Sequence, residues 1–299
     1  MNTVLIELGP TCEPVLAQLV GLVIYQHTKI LAMALKPDAS GIMRLIGDNT
    51  SEFIQLFPGD VTNFPLGAWA LDGDDTVDGS GASELILGNQ GEDILRGFAG
   101  NNSVFGGKGK DGLFGGEGND SLNGGLDADR LLGGPGDDIL LGGRGNDLLS
   151  DAEGNNTLVG GLGRDFFECG FDNNNLCVLG IDPATTDINS SDIIERFDPD
   201  LDRIGLASDL TVNDIVLQPV QNVALTYTFD GPQALQPILP PGPLGALSGP
   251  ASGAQPRGGI TGVYSGTLIR VKNSNAILGF VQDVTPNELQ SRIVSVQGF

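Results

Sequence analysis

Residues 79–168 divide, without one insertion or deletion, into ten successive nine-residue units: GSGASELIL, GNQGEDILR, GFAGNNSVF, GGKGKDGLF, GGEGNDSLN, GGLDADRLL, GGPGDDILL, GGRGNDLLS, DAEGNNTLV and GGLGRDFFE. A partial unit, Gly73 to Asp78, precedes them in the same register. Glycine gathers at positions one, two and four, and an acid or amide holds position six. Position eight carries one large apolar residue: Ile86, Leu95, Val104, Leu113, Leu122, Leu131, Leu140, Leu149, Leu158 and Phe167. One inward side chain per unit is too little to fold alone, so the units must stack, and a period of this length predicts a solenoid. Glycines in the first half of each unit permit positive φ and close backbone approach, which predicts a tight turn there. The chain then alternates turn and short strand, with parallel strands stacked ~4.8 Å apart. A flexible Gly/Asp/Asn linker would match the composition. It has no reason to place an apolar residue at every ninth position.

The G-G-x-G-x-D-x-U-x form of these units resembles the calcium-binding nonapeptides of RTX (hemolysin-type) proteins. Seven of the ten units keep Asp at position six: Asp93, Asp111, Asp120, Asp129, Asp138, Asp147 and Asp165. The resemblance implies an all-β fold, a parallel β-roll in which two units complete one turn. Residues eighteen apart then lie above each other, with several Ca²⁺ ions between stacked turns. A short N-terminal cap and a β-rich C-terminal capping region are expected to close its ends.

Under that geometry the position-six residues form two rows on opposite edges. One row reads Asp75, Asp93, Asp111, Asp129, Asp147 and Asp165; the other reads Glu84, Asn102, Asp120, Asp138 and Asn156. The first row is expected to carry the tight sites, one ion between each neighbouring pair. On the second, Asp120 and Asp138 are expected to form one good site, with weak or vacant sites beside it. Gly107, Gly109, Gly125, Gly143, Gly145, Gly161 and Gly163 are the turn glycines expected to direct carbonyls inward. The second edge is disturbed at Phe98, Asp151 and Ala152, and on the first Asp127 replaces a fourth-position glycine.

Calcium suits such donors because it is a hard cation taking six to eight oxygens in forgiving geometry. Magnesium demands stricter octahedral geometry, and zinc or copper would want imidazole or thiolate, neither of which occurs in the repeats before Cys169. One buried apolar side chain per unit weighs little against ordering nine residues rich in glycine. Stacked carboxylates also repel one another, so folding is expected to be coupled to calcium. Such a chain would be open at cytosolic calcium and ordered at extracellular levels.

The formal net charge of −23 over 299 residues excludes nucleic acid as a natural partner, because phosphate recognition needs basic surface. Cys12, Cys169 and Cys177 are too few for a disulfide scaffold; Cys169 and Cys177 either bridge just after the repeats or remain thiols. Glu7 and Glu13 stand where a secretory signal needs positive charge, and the apolar stretch Val15 to Tyr25 is too short for a membrane span. Residues 1–32 are either part of the chain or an upstream addition before a start at Met33. The resemblance implies export by a type I exporter reading a C-terminal signal, although the ending Val296-Gln297-Gly298-Phe299 lacks the acidic residues of secreted RTX proteases.

The chain is expected to divide into an N-terminal segment (1–40), an N-terminal cap (41–72, with Trp69 in its core), the repeats (73–168), a post-repeat cap (169–230), a Pro/Gly-rich loop (231–259) and C-terminal strands (260–299). The segment Ser191 to Leu206 is similar to the one that closes the roll in RTX proteases, where Asp192 and Asp202 would add ligands. Thr285-Pro286-Asn287-Glu288 has the form of a capping box. His27 is the only histidine, which rules out H-E-x-x-H zinc proteolysis, and no G-x-S-x-G elbow occurs. About 70 residues before the repeats are too few for a typical catalytic domain. A non-enzymatic, extracellular calcium-binding protein is therefore expected, structural or adhesive and meeting cell-surface or matrix components. The alternative is a fragment or degenerate relative of a secreted hydrolase, protease or toxin.

Overall fold

The computed structural model describes residues 34–37, 43–47, 49–56, 67–151, 153–170, 173–180, 186–207, 210–228, 259–274 and 276–296. Cys12, His27, the stretch Val15 to Tyr25, the alternative start Met33, residues 231–258 of the expected loop and the terminal residues 297–299 lie outside them.

Within the repeats each strand begins at position seven of one unit, and most run on to position three of the next, leaving positions four to six for the turn. Successive strands alternate between two sheets. One stacks Ala68–Asp72, Leu85–Gln90, Ser103–Lys108, Ser121–Leu126, Ile139–Arg144 and Thr157–Leu162. The other stacks Thr76–Asp78, Ile94–Ala99, Gly112–Glu117, Arg130–Leu132, Leu148–Ser150 and Phe166–Glu168. All these pairs are parallel with an eighteen-residue offset: Leu122 lies beside Val104 and Leu140, and Leu131 beside Leu113 and Leu149. The β-roll implied by the repeats is the observed fold.

Because side chains alternate along a strand, position eight points inward while seven and nine point out. Ile86, Val104, Leu122, Leu140 and Leu158 from one sheet join Val77, Leu95, Leu113, Leu131, Leu149 and Phe167 from the other in one core, each 0% exposed. The turns need left-handed backbone at positions two and four, as at Gly107 (φ 122°) and Gly109 (φ 119°). Phe98 (φ 70°) and Asp127 (φ 74°) occupy the same region without being glycine.

Both flanks continue the coil. Met43–Ile46 and Phe53–Gln55 pair in parallel with Ala68–Asp72 and Thr76–Asp78 at a 23-residue offset, so these two strands add a further turn to the roll after a longer gap. Ala34–Pro37 then runs antiparallel to Met43–Ile46 and ends that sheet. Trp69, expected in the core, instead alternates with the buried Ala68 and Ala70 and stands half-buried beside Leu87 on the outer side. Period-two alternation on this strand assigns the two small residues to the interior.

Beyond Glu168 the inward column continues as Leu158, Cys177, Ile204, Ile293 on one sheet and Phe167, Ile194, Val281 on the other. Cys169 and Cys177, for which bridge and thiols were both open, form a disulfide, and both are fully buried in the core. The antiparallel hairpin Ile215–Thr228 and Gly259–Val271, irregular between Val220 and Val223, extends one sheet. Its Leu225 and Leu268 cluster with Leu148, Phe166 and Ile193. A one-turn helix, Pro286–Leu289, starts at the Thr285–Glu288 capping box that the sequence predicts. Among the described residues no helix is long and apolar enough to cross a membrane.

Candidate metal centre

The position-six side chains sit on the two turn edges of the roll, and each Asp or Asn among them does two things. Its Oδ1 accepts from the main-chain N–H of the position-six residue one coil earlier. On the first edge these bonds run from Asp75 to Asp93, Asp93 to Asp111, Asp111 to Asp129, Asp129 to Asp147 and Asp147 to Asp165, at 2.8–3.0 Å. On the second they run from Glu84 to Asn102, Asn102 to Asp120, Asp120 to Asp138 and Asp138 to Asn156. Position six thus ties coil to coil, which any Asp or Asn can do.

The second atom separates acid from amide. Oδ2 of Asp75, Asp93, Asp111, Asp129, Asp120 and Asp138 is buried with no hydrogen-bond donor. The glycine at position one leaves room for it. A Cβ at Gly106 would run into Oδ2 of Asp111 and lie 2.7 Å from the carbonyl oxygen of Gly124. Gly88, Gly124, Gly142 and Gly115 repeat this arrangement for Asp93, Asp129, Asp147 and Asp120, with the carbonyls of Gly106, Gly142, Gly160 and Gly133. Every such cradle sets a carboxylate oxygen against a carbonyl oxygen, one acceptor facing another. At Gly160 a ring carbon of Phe167 is among the closest atoms, 2.8 Å from where a Cβ would stand.

Asparagine closes the cradle by itself. Asn102 Nδ2 donates to the carbonyl of Gly100 at 3.2 Å, and Asn156 Nδ2 to those of Glu153 and Gly154, both at 3.3 Å. Glu84 is engaged by the main-chain N–H and the hydroxyl of Ser80. The two edges therefore differ chemically, with donor-free acids predominating on the first and amide-filled positions flanking two acids on the second.

Burial pushes the carboxyls up. Loss of water is the first cause throughout; the accepted main-chain N–H opposes it. Asp75 is raised to about 7, Asp93 to about 6, Asp111 to about 8, Asp129 to about 9 and Asp147 to about 7. Neighbouring carboxylates add to the rise at Asp111 and Asp129, Asp127 among them. Asp120 is also raised by burial. A group in this condition wants a positive partner, proton or cation.

The expected turn glycines Gly107, Gly109, Gly125, Gly143, Gly145, Gly161 and Gly163 all take positive φ. The carbonyls that share a cradle with the donor-free oxygens belong to position-one glycines. Among the described residues no three His, Cys, Asp or Glu side chains converge on a metal position; the cradles rely on main-chain oxygen. They fit calcium, which accepts carboxylate and backbone oxygen together.

The coil brings further residues into the rows that the nine-residue count does not reach. Glu52 donates its N–H to Asp75 Oδ1, and its own carboxylate faces Gly47 and the carbonyl of Ala70. GDNTSEFIQ, residues 47–55, is a unit in which only Gly at one, Glu at six and Ile at eight remain as signals. Asp192 accepts from Asp165, Asn175 from Asn156, and Asp202 from Asn175, at separations of 27, 19 and 27 residues. Asp202 accepts a second main-chain bond, from Asp198, so both its oxygens are satisfied. Asp151, which sequence reasoning counts only as a break in the pattern, is fully buried beside Asp138.

A family model, the RTX calcium-binding nonapeptide repeat, matches in four copies at residues 78–113, 114–149, 132–167 and 141–176. It describes a repeat and not a catalytic domain. No curated protein matches the chain.

Proposed function

Because residues 78–176 are RTX calcium-binding nonapeptide repeats, we propose that this chain is an exported, non-enzymatic protein whose roll is held in shape by several Ca²⁺ ions. The observation that carries this reading is the set of buried Asp Oδ2 atoms facing carbonyl oxygens with no donor between them. An unsatisfied buried acceptor costs about 1–3 kcal/mol, more when charged, and a hard cation removes that cost at every cradle at once. On the first edge Asp93, Asp111 and Asp129 would hold ions with the carbonyls of Gly106, Gly124 and Gly142, and Asp147 is assigned to the same row by its place in the repeat alone. On the second, Asp120 would do so with Gly133. Bound calcium supplies the positive charge that lets these carboxylates stay ionised while buried.

The buried Cys169–Cys177 disulfide supports an oxidising compartment, and the charge of −23 supports a soluble life at millimolar calcium. The proposed role is structural or adhesive at a cell surface or matrix, reached through a type I exporter. Circular dichroism and calorimetry during a calcium titration test the coupling: strand signal should grow with Ca²⁺ and not with equal Mg²⁺. A chelated sample with undiminished strand signal and melting temperature would end it. Export is tested by following the chain in culture fractions, and retention inside the cell under calcium-replete conditions would overturn that part.

A further inference from the structure

On the second edge, the turn at Gly133 departs from every other cradle. A Cβ there would run into two carboxylate oxygens, Oδ2 of Asp138 and Oδ2 of Asp151, where the equivalent place at Gly115 offers one carboxylate and the carbonyl of Gly133. Asp151 stands at position one of its unit, where nine of these ten units carry glycine, so a side chain enters the cradle. Its main-chain N–H is held by the carbonyl of Glu168 at 3.2 Å, and its Oδ1 accepts from Glu153 N–H at 3.4 Å, which leaves Oδ2 aimed at Asp138. Asp138 is fixed as firmly, accepting from Asp120 N–H at 2.7 Å and donating its own N–H to Asn156 Oδ1 at 2.8 Å.

Asp138 is 1% exposed and Asp151 0%, and among the described residues neither Oδ2 has a hydrogen-bond donor. Two buried, donor-free carboxylates facing one gap repel unless something positive lies between them. Asn156 cannot serve, because its amide is already spent on the carbonyls of Glu153 and Gly154. We propose that Asp138 and Asp151 together form a cation site that the nonapeptide pattern does not encode, taking a hard divalent ion of the calcium class. This deepens the calcium reading of the roll and rests on it. Where an ordinary cradle offers one charge, this one offers two, and carboxylate count raises affinity for a hard cation. The second edge then binds at Asp120 and again at Asp138, and the substitution that breaks the repeat strengthens a site.

The direct test is a crystal of the full chain grown with calcium, read by anomalous scattering. A peak between Asp138 and Asp151, together with peaks along Asp93, Asp111 and Asp129, is the expected result. Peaks along the first edge with none at Asp138 and Asp151 overturn this proposal alone. Absence of peaks at every cradle overturns the calcium reading itself. In solution, calorimetric calcium binding to Asp151→Asn should lose one ion, or show one site weakened about tenfold or more. Unchanged stoichiometry and affinity in that variant would mean that the pair merely shares a proton, and the proposal fails. Should Asp151→Asn not fold, Asp151→Gly, which restores the unit's own glycine and leaves an ordinary one-carboxylate cradle at Asp138, takes its place: one site should weaken about tenfold or more, and unchanged affinity overturns the proposal.

Discussion

The N–H of Asp111 donates to Oδ1 of Asp129 at 2.8 Å, and the same carboxylate turns its Oδ2 toward the carbonyl of Gly142 with no donor in reach. On the opposite edge Asn102 accepts an identical coil-to-coil bond from Glu84 at 2.9 Å, yet its Nδ2 satisfies the carbonyl of Gly100. One atom, oxygen or nitrogen, decides whether a turn needs a cation.

Replacing Asp111 and Asp129 with Asn should therefore split stability by condition. Oδ1 keeps its bond and Nδ2 donates where an ion would sit, so the chelated protein should gain about 1–3 kcal/mol per site. The increment from calcium should shrink by comparable amounts. Asn102→Ala and Asn156→Ala should instead lower the melting temperature equally with and without calcium. Melting curves in calcium and in chelator decide it; a calcium increment unchanged by the Asp replacements would show that those carboxylates hold no ion.

Gly106→Ala puts a methyl into the mouth of the Asp111 cradle without touching a charge or requiring a left-handed backbone. Overpacking of this kind costs about 1–3 kcal/mol, and the calcium count should fall by one. Gly81, where an added methyl would find nothing within 4 Å, is the control, and Gly81→Ala should be neutral or slightly stabilising. Equal calcium counts in both variants would separate position one from ion binding.

Phe98 holds φ at 70° and is 48% exposed, so it strains the turn and contributes little to packing. A left-handed backbone costs a bulky L-residue about 1–2 kcal/mol. Phe98→Gly should raise stability by about 1 kcal/mol, somewhat less than the strain because glycine is freer when unfolded. Asp127→Gly, at φ 74°, should gain less from the backbone, since Asp tolerates this region. It should also relieve the repulsion Asp127 exerts on Asp111 and Asp129. A lower melting temperature for Phe98→Gly would refute the strain.

The response to pH should reverse when calcium is added. Without cation, the folded values of about 7, 6, 8 and 9 for Asp75, Asp93, Asp111 and Asp129 lie above the unfolded value, about 3.9. The cation-free roll then holds protons that the unfolded chain has released. Its stability is fully present below about pH 4 and is lost as pH rises through the folded values. Calcium needs the charged form, so its apparent affinity should rise across the same interval. Melting temperature against pH, in chelator and in excess calcium, should slope in opposite directions; parallel slopes would contradict the assignment.

Much of this was legible from residues 79–168 alone. The solenoid and its inward column from Ile86 to Phe167 follow from a strict nine-residue count, and the two-unit turn that separates the unequal edges is what the resemblance to RTX nonapeptides implies, because stacking at a constant offset makes neighbours in space predictable from neighbours in sequence. The count fails where insertions change the offset. Glu52, Asn175, Asp192 and Asp202 resume the rows after irregular gaps; the resemblance named Asp192 and Asp202, and only pairing across the closed coil identifies Glu52 and Asn175.

The sequence by itself determined which side chain of each unit is buried and that acids recur at the turns, since both are local consequences of strand alternation and turn chemistry. Only the tertiary structure decided where each second carboxylate oxygen points. Asp151 and Trp69 show why: Asp151 faces Asp138 across a gap that glycine leaves elsewhere, and Trp69 lies outside because its two alanine neighbours take the interior. Both outcomes depend on what the adjacent coil places opposite, and that is set by three-dimensional stacking.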